Sequence, residues 1–256
     1  MSVIEIQNLT RDYGGNRGIY DLSFSVGSGE VFGFLGPNGA GKTTTIRHLM
    51  GLLRPKQGCC RIFGLDCWTS SEKIQEKLGY IPGEMAYFDD MTGDAFLRFI
   101  IRYRGMKDSG RMKELIDRFE LDASGKLSKM SKGMKQKVGI VAAFLHDPDV
   151  LILDEPTSGL DPLMQNRFIE LILEEKARGK TILMSSHMFE EVERTCHRVG
   201  IIREGRLVAV DEVERLKEQQ VQKYTVIFET ESAISEFIKE EIDIVSSEEN
   251  RVTVLV

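Results

Sequence analysis

The chain has 256 residues, 41% of them hydrophobic, long enough to bury a sizeable core without disulfide or metal staples. Its formal net charge of -6, from 40 acidic and 34 basic side chains, argues against a nucleic-acid surface, which would need clustered Lys and Arg. No uninterrupted apolar stretch exceeds Val138 to Leu145, well short of the roughly 18 to 20 residues that cross a bilayer, and Met1-Ser2-Val3-Ile4-Glu5 lacks a basic region leading into an apolar core, so a cytosolic chain is expected.

Val3 to Leu9 and Gly18 to Val26 alternate as strands, with turn signals at Gly14-Gly15 and Gly27-Ser28-Gly29, and read as an antiparallel edge. Glu30 to Leu35 is a core strand, and directly behind it comes Gly36-Pro37-Asn38-Gly39-Ala40-Gly41-Lys42-Thr43-Thr44. The spacing G-x-x-x-x-G-K-[ST] between a strand and a helix makes a phosphate-binding loop, because glycines let several amide N–H groups converge with no Cβ in the way. A helix expected over Lys42 to Leu53 adds its positive dipole end, Lys42 reaches toward the β and γ phosphates, and Thr43 offers a hydroxyl to Mg²⁺.

Further strands are expected at Cys59 to Phe63, Leu78 to Ile81, Val150 to Asp154, Thr181 to Ser185 and Val199 to Arg203, separated by helical patterns. That alternation predicts an α/β fold with a mainly parallel sheet. From Thr92 to Leu127 the period is helical, in Phe96, Phe99, Ile100 and Tyr103, then in Met112, Leu115, Ile116 and Phe119, which reads as an all-helical insertion extending over about 92–145. Cys59, Cys60, Cys67 and Cys196 form no paired C-x-x-C pattern and read as reduced packing residues, even with His197 beside Cys196.

Val150 to Asp154 is a buried strand ending in Asp154-Glu155. Asp154 is placed to hold Mg²⁺ through water, and Glu155, one residue on, to polarise an attacking water. Beyond 221 a small appendage over 222–256 is expected, with strands at Tyr224 to Phe228 and Arg251 to Val256 around a helix at Ser232 to Ile242. So short a segment needs a neighbour to pack on.

Between the phosphate loop and the carboxylate strand lies Met130-Ser131-Lys132-Gly133-Met134-Lys135-Gln136-Lys137, and after the strand come Ser158-Gly159-Leu160-Asp161 and Ser185-Ser186-His187. In order and spacing these motifs resemble the ATP-binding subunit of an ABC transporter, over roughly Met1 to Val221. The resemblance implies a P-loop ATPase with ATP and Mg²⁺ as ligands and a separate transmembrane permease as partner, peripheral on the inner face of the membrane. It also implies a homodimer or heterodimer closed head to tail, so that Ser131 and Gly133 of one subunit meet the γ phosphate held by Lys42 of the other. Tyr13 matches the aromatic that stacks on adenine, His187 the switch histidine at the γ phosphate, and Asp161 the loop that links the two nucleotide sites. Opening of the pair after hydrolysis is the implied power stroke.

Two departures stand out. Lys132 and Met134 replace the glycine and glutamine usual in the Leu-Ser-Gly-Gly-Gln segment, and five lysines crowd Lys126 to Lys137, where a helix N-terminus disfavours cations unless an anion is brought there. A phosphate-related role for Lys132 and a solvated basic face both fit. In Tyr80-Ile81-Pro82-Gly83-Glu84, Gly83 stands where the family has a glutamine that touches Mg²⁺, and Glu84 is a candidate replacement. The signature and the Pro-Gly-Glu loop look like the exporter branch with drug, antibiotic-resistance and sodium efflux systems, and the short tail favours export over sugar import. A soluble mechanical ABC ATPase acting on ribosomes or DNA is the rival reading; the paired ATP-binding halves or coiled-coil insertions of such proteins are not seen in the sequence.

Overall fold

The structure, a computed structural model, describes residues 1–15, 17–86, 90–107, 110–218, 223–228, 234, 237, 243–248 and 251–255. They form two compact units, Met1–Val213 and Glu214–Val256.

The first unit is built on a six-stranded sheet whose order, from one edge, is Arg206–Glu212, Arg198–Arg203, Val31–Leu35, Thr181–Ser186, Val150–Asp154 and Leu78–Ile81. Its pairings are parallel except at the first edge, where Arg206–Glu212 runs antiparallel to its neighbour. Every residue of Val150–Asp154 and Thr181–Ser186 is buried, which is why these strands read as continuous rather than alternating runs: in a parallel sheet both faces are covered. A second sheet, in the order Gly18–Gly27, Ser2–Asp12, Gln57–Ile62 and Leu65–Asp66, is antiparallel throughout. Phe24 of this sheet stacks on Phe32 of the first at 5.2 Å between ring centroids, and Phe34 lies at the same distance, so aromatic packing joins the two sheets into one core. Cys59, Cys60, Cys67 and Cys196 are all free thiols.

The segment after Thr92 is helical, in Gly93–Tyr103, Gly110–Arg118 and Lys132–Phe144, with a 3₁₀ turn at Leu127–Lys129. Met112, Leu115 and Phe119 are buried. In Gly93–Tyr103 it is Leu97 that is buried, while Phe99 and Tyr103 stack on the outside with centroids 6.2 Å apart. Arg118 grips Glu174 with two bonds of 2.6 and 2.7 Å, tying this segment to the helix Pro162–Ala177.

Several elements differ from the sequence expectation. The helix after the phosphate loop is Lys42–Leu49 rather than Lys42 to Leu53, because Gly51 turns left-handed (φ 67°) and the N–H groups of Leu52 and Leu53 fold back onto the Arg47 carbonyl. Arg206–Glu212 is a strand although its burial is mostly partial, so its sequence lacks a sharp apolar alternation. In the second unit Asp243–Glu248 is an additional strand, giving the antiparallel order Lys223–Ile227, Arg251–Leu255, Asp243–Glu248. Ile234, Val252 and Val254 form its buried cluster with Phe228 and Phe237. The helix expected at Ser232 to Ile242 falls largely outside the described residues. Among the described residues, no helix is long and apolar enough to cross a membrane.

Candidate functional site

The strand Val31–Leu35 delivers the chain to Gly36, whose N–H donates to the Ser186 carbonyl at 3.1 Å, so the loop begins pinned to the neighbouring strand. Two of its glycines are demanded by geometry. A Cβ on Gly36 would meet the Ile202 carbonyl oxygen at 2.4 Å, and Gly41 has φ 112° at the N-cap of the helix Lys42–Leu49. No acidic side chain stands in the first turn of that helix to neutralise its positive end.

Lys42 is only 5% exposed and bends back on the loop. Its Nζ donates to the Gly36 and Pro37 carbonyls at 2.5 and 3.2 Å and lies 3.1 Å from Oε1 of Glu155. The other carboxylate oxygen, Oε2, is 2.7 Å from Nδ1 of His187. Three residues far apart in sequence thus form one chain of charge and hydrogen bonds, Lys42 to Glu155 to His187. Glu155 reaches this position with a left-handed backbone (φ 48°), costly for a residue with a Cβ and typical of functional turns. Its N–H is held by Ser185, at 3.1 Å from Oγ and 3.3 Å from the carbonyl oxygen.

A cavity of about 240 Å³ opens over this chain, lined by Tyr13, Arg17, Gly18, Asn38, Gly39, Gly41, Lys42, Thr43, Thr44 and Glu155. Tyr13 is about half exposed at its rim, with the Arg11 guanidinium 5.2 Å from its ring centroid. Ala40 is buried behind the loop, and its carbonyl accepts from the Gly205 N–H at 2.9 Å.

Asp154 is fully buried at the end of its strand. Its Oδ1 accepts from Ser185 Oγ at 2.5 Å, whereas Oδ2 is buried without a hydrogen-bond partner among the described residues. That orphan oxygen faces Gly83: a Cβ there would stand 2.9 Å from it. An unpaired buried carboxylate oxygen is costly unless something satisfies it, and a divalent cation or its water shell would. Burial first, then the Asp154 charge, push the Tyr80 phenol up to about 12.

Other residues singled out in the sequence lie elsewhere. Ser131 caps Lys132–Phe144, its Oγ accepting from the Met134 N–H at 3.2 Å. Gly133 packs so closely on the loop after Glu155 that a Cβ would meet the Gly159 carbonyl at 2.6 Å. Asp161 caps Pro162–Ala177 by accepting from the Met164 N–H at 3.0 Å. None of Ser131, Gly133 and Asp161 lines the phosphate-loop cavity. Lys132 crosses to Ser158, Nζ to Oγ 2.8 Å, and together with Glu84, Gly83, Met85, Lys135 and Gln136 lines a second cavity of about 490 Å³.

The sequence motifs include Ser185 and Gln136 without giving either a role: Ser185 holds both Asp154 and the Glu155 backbone, and Gln136 Nε2 donates to the Pro156 carbonyl at 2.6 Å. The available signal was a serine inside an otherwise apolar strand, directly beside Ser186-His187.

The family model described as ABC transporter matches residues 19–158. The chain is 39% identical over 217 residues to the Nod factor export ATP-binding protein I of Paraburkholderia xenovorans, covering 81% of this chain and 70% of that protein. It is 37% identical over 221 residues to the bacitracin transport ATP-binding protein BcrA of Bacillus licheniformis, covering 85% and 72%. A solved structure described as the ATP binding subunit of an ABC transporter superposes with a TM-score of 0.76 at 34% identity, over 85% of this chain and 93% of that one.

Proposed function

The chain belongs to the ABC transporter family of ATP-binding, ATP-hydrolysing proteins, and from that premise we propose that it powers export through a separate transmembrane permease by closing head to tail on a second ATP-binding subunit. The observation that carries this reading is the Lys42–Glu155–His187 chain at the mouth of a phosphate loop, a cation joined to a base by an ion pair and the base to a histidine by a hydrogen bond.

Tyr13 at the cavity rim stacks on the base, and the loop amides from Gly36 to Thr44 take the phosphates, with Lys42 transferring its ammonium from Glu155 to the β and γ oxygens. Glu155, released from Lys42 but still bonded through its other oxygen to His187, then orients the attacking water and accepts its proton. Thr43 and the orphan Oδ2 of Asp154 fit Mg²⁺, which when bound neutralises phosphate charge.

Head-to-tail closure is supported by where the remaining motif residues lie. Ser131, Gly133 and Asp161 do not line their own subunit's phosphate cavity, the placement expected of residues that meet a γ phosphate brought by a second subunit. Membrane attachment follows from a permease, and the exposed Phe99 and Tyr103 pair on the helical segment supplies apolar surface suited to it. Export is favoured by the Nod factor export relative.

The test is the Glu155→Gln variant with ATP, followed by light scattering and phosphate release. It should accumulate as an ATP-dependent dimer with hydrolysis reduced by about 10² to 10³, and adding Ser131→Arg should abolish the dimer while ATP still binds. Hydrolysis near wild type in Glu155→Gln removes the base role; a monomer under all conditions removes head-to-tail closure. Tagged protein drawn from detergent-solubilised native membranes should bring a polytopic membrane protein with it.

A further inference from the structure

Glu191 lies in the short helix Phe189–Thr195, just beyond His187, and is only 6% exposed. Its carboxylate has two partners. Oε1 accepts from Thr157 Oγ1, and Oε2 accepts from Ser186 Oγ at 2.7 Å. Thr157 is two residues after Glu155, and Ser186 immediately precedes His187. One buried carboxylate therefore grips both backbone segments whose side chains meet as Glu155 Oε2 and His187 Nδ1, 2.7 Å apart.

Stability alone accounts poorly for this arrangement. Burying a carboxylate is expensive, and among the described residues it is met by two neutral hydroxyls in place of a cation, at the positive end of a two-turn helix. What it does supply is geometry: Thr157 and Ser186 sit on separate elements, the turn after Val150–Asp154 and the end of Thr181–Ser186. A second tie runs from Thr195 Oγ1 to the Glu191 carbonyl at 2.7 Å, which holds the helix turn that carries the carboxylate.

We propose that Glu191 is a positioning residue for ATP hydrolysis, setting the register of Glu155 against His187 by hydrogen-bonding Thr157 and Ser186 at once. It touches neither nucleotide nor water; it acts through the two segments. The proposal rests on the reading of Glu155 and His187 as the hydrolytic pair, and it separates Glu191 from residues that bind ATP.

The experiment compares the full-length chain with Glu191→Ala, Glu191→Gln, Thr157→Val and Ser186→Ala by steady-state ATPase, equilibrium ATP binding and proton NMR of the four histidines. Displacing a reacting group by an ångström costs about 100-fold, so Glu191→Ala should lose kcat by about 10- to 100-fold while ATP affinity holds within about threefold, and only the His187 resonances among the histidines should move. Glutamine presents one acceptor and one donor to hydroxyls that can serve as either, so Glu191→Gln should recover most of kcat and the wild-type His187 signal. Thr157→Val and Ser186→Ala each remove one grip and should fall between wild type and Glu191→Ala, which keeps the proposal testable if the alanine variant does not fold. Wild-type kcat in Glu191→Ala, or in both single-grip variants, overturns it, as does a parallel loss of ATP affinity and kcat with His187 unmoved. A wild-type chain that binds no ATP would instead remove the underlying functional reading.

Discussion

Lys42 Nζ stands 3.1 Å from Glu155 Oε1, so the cation of the phosphate loop and the carboxylate that follows the Asp154 strand neutralise each other across the cavity. Lys42→Ala removes the cation and leaves Glu155, 18% exposed at its side chain, with His187 but without the ammonium. Charge-assisted bonds contribute about 1.5 to 3 kcal/mol each, so ATP affinity should fall by about 100-fold. Isothermal titration checks this, and a loss of under fivefold, an order of magnitude short of the roughly 100-fold expected, would show that Lys42 does not hold the phosphates.

Gly83 and Asp154 make a second such relationship. A Cβ at Gly83 would stand 2.9 Å from Oδ2 and 3.2 Å from Cγ of a fully buried side chain that Ser185 already holds, so Asp154 has little room to retreat. Gly83→Ala should destabilise the chain by about 1 to 3 kcal/mol, read as a lower denaturation midpoint. It should also weaken Mg²⁺-dependent nucleotide binding more than Mg²⁺-free binding, measured by titration with and without chelator. Equal binding under both conditions would separate the Gly83 contact from the metal.

His146, with His48 and His197, sets an acid limit on stability. Burial first, then the Arg104 charge, push His146 down to about 4 from an ordinary value of 6.5, and burial lowers His48 and His197 as well. Between those values the unfolded chain takes up a proton at His146 that the folded chain refuses, so its contribution is complete above pH 6.5 and is lost as pH falls toward 4. Urea denaturation at pH 7.5 and at pH 5 should show this loss in wild type. His146→Gln, which keeps a donor for the Leu78 carbonyl, should show a smaller one; an unchanged difference would place the acid sensitivity elsewhere.

Every candidate site residue lies within Met1–Val213, and Glu214–Val256 has its own buried cluster. A chain truncated after Val213 should unfold cooperatively and bind ATP within about twofold of the full chain, as expected of a self-contained unit. Failure to fold, followed by circular dichroism, would assign the second unit a structural role in the first.

Much of the site was legible because phosphate chemistry constrains local sequence. The loop needs glycines and a lysine at set spacings, and a fully buried parallel strand such as Val150–Asp154 leaves an unbroken apolar run ending in its carboxylates. What escaped reading depends on contacts between distant segments. Nothing near Ser185 in sequence shows that its hydroxyl meets Asp154, and nothing near Gly83 shows that its missing side chain makes room for Oδ2. Arg206–Glu212 escaped because an edge strand with partial burial carries no sharp alternation. Lys42–Leu49 stops short of the expected Leu53 because the left-handed turn at Gly51 leaves no mark in the helical apolar pattern.

The strand that launches the phosphate loop has as its neighbours Thr181–Ser186 on one side and Arg198–Arg203 on the other. During synthesis, Val31–Leu35 therefore waits until Thr181–Ser186 has left the ribosome before either flank is filled. Until synthesis has passed Ser186 a nascent chain of this kind carries an apolar strand without either of its sheet neighbours, the sort of exposed edge that chaperones shield.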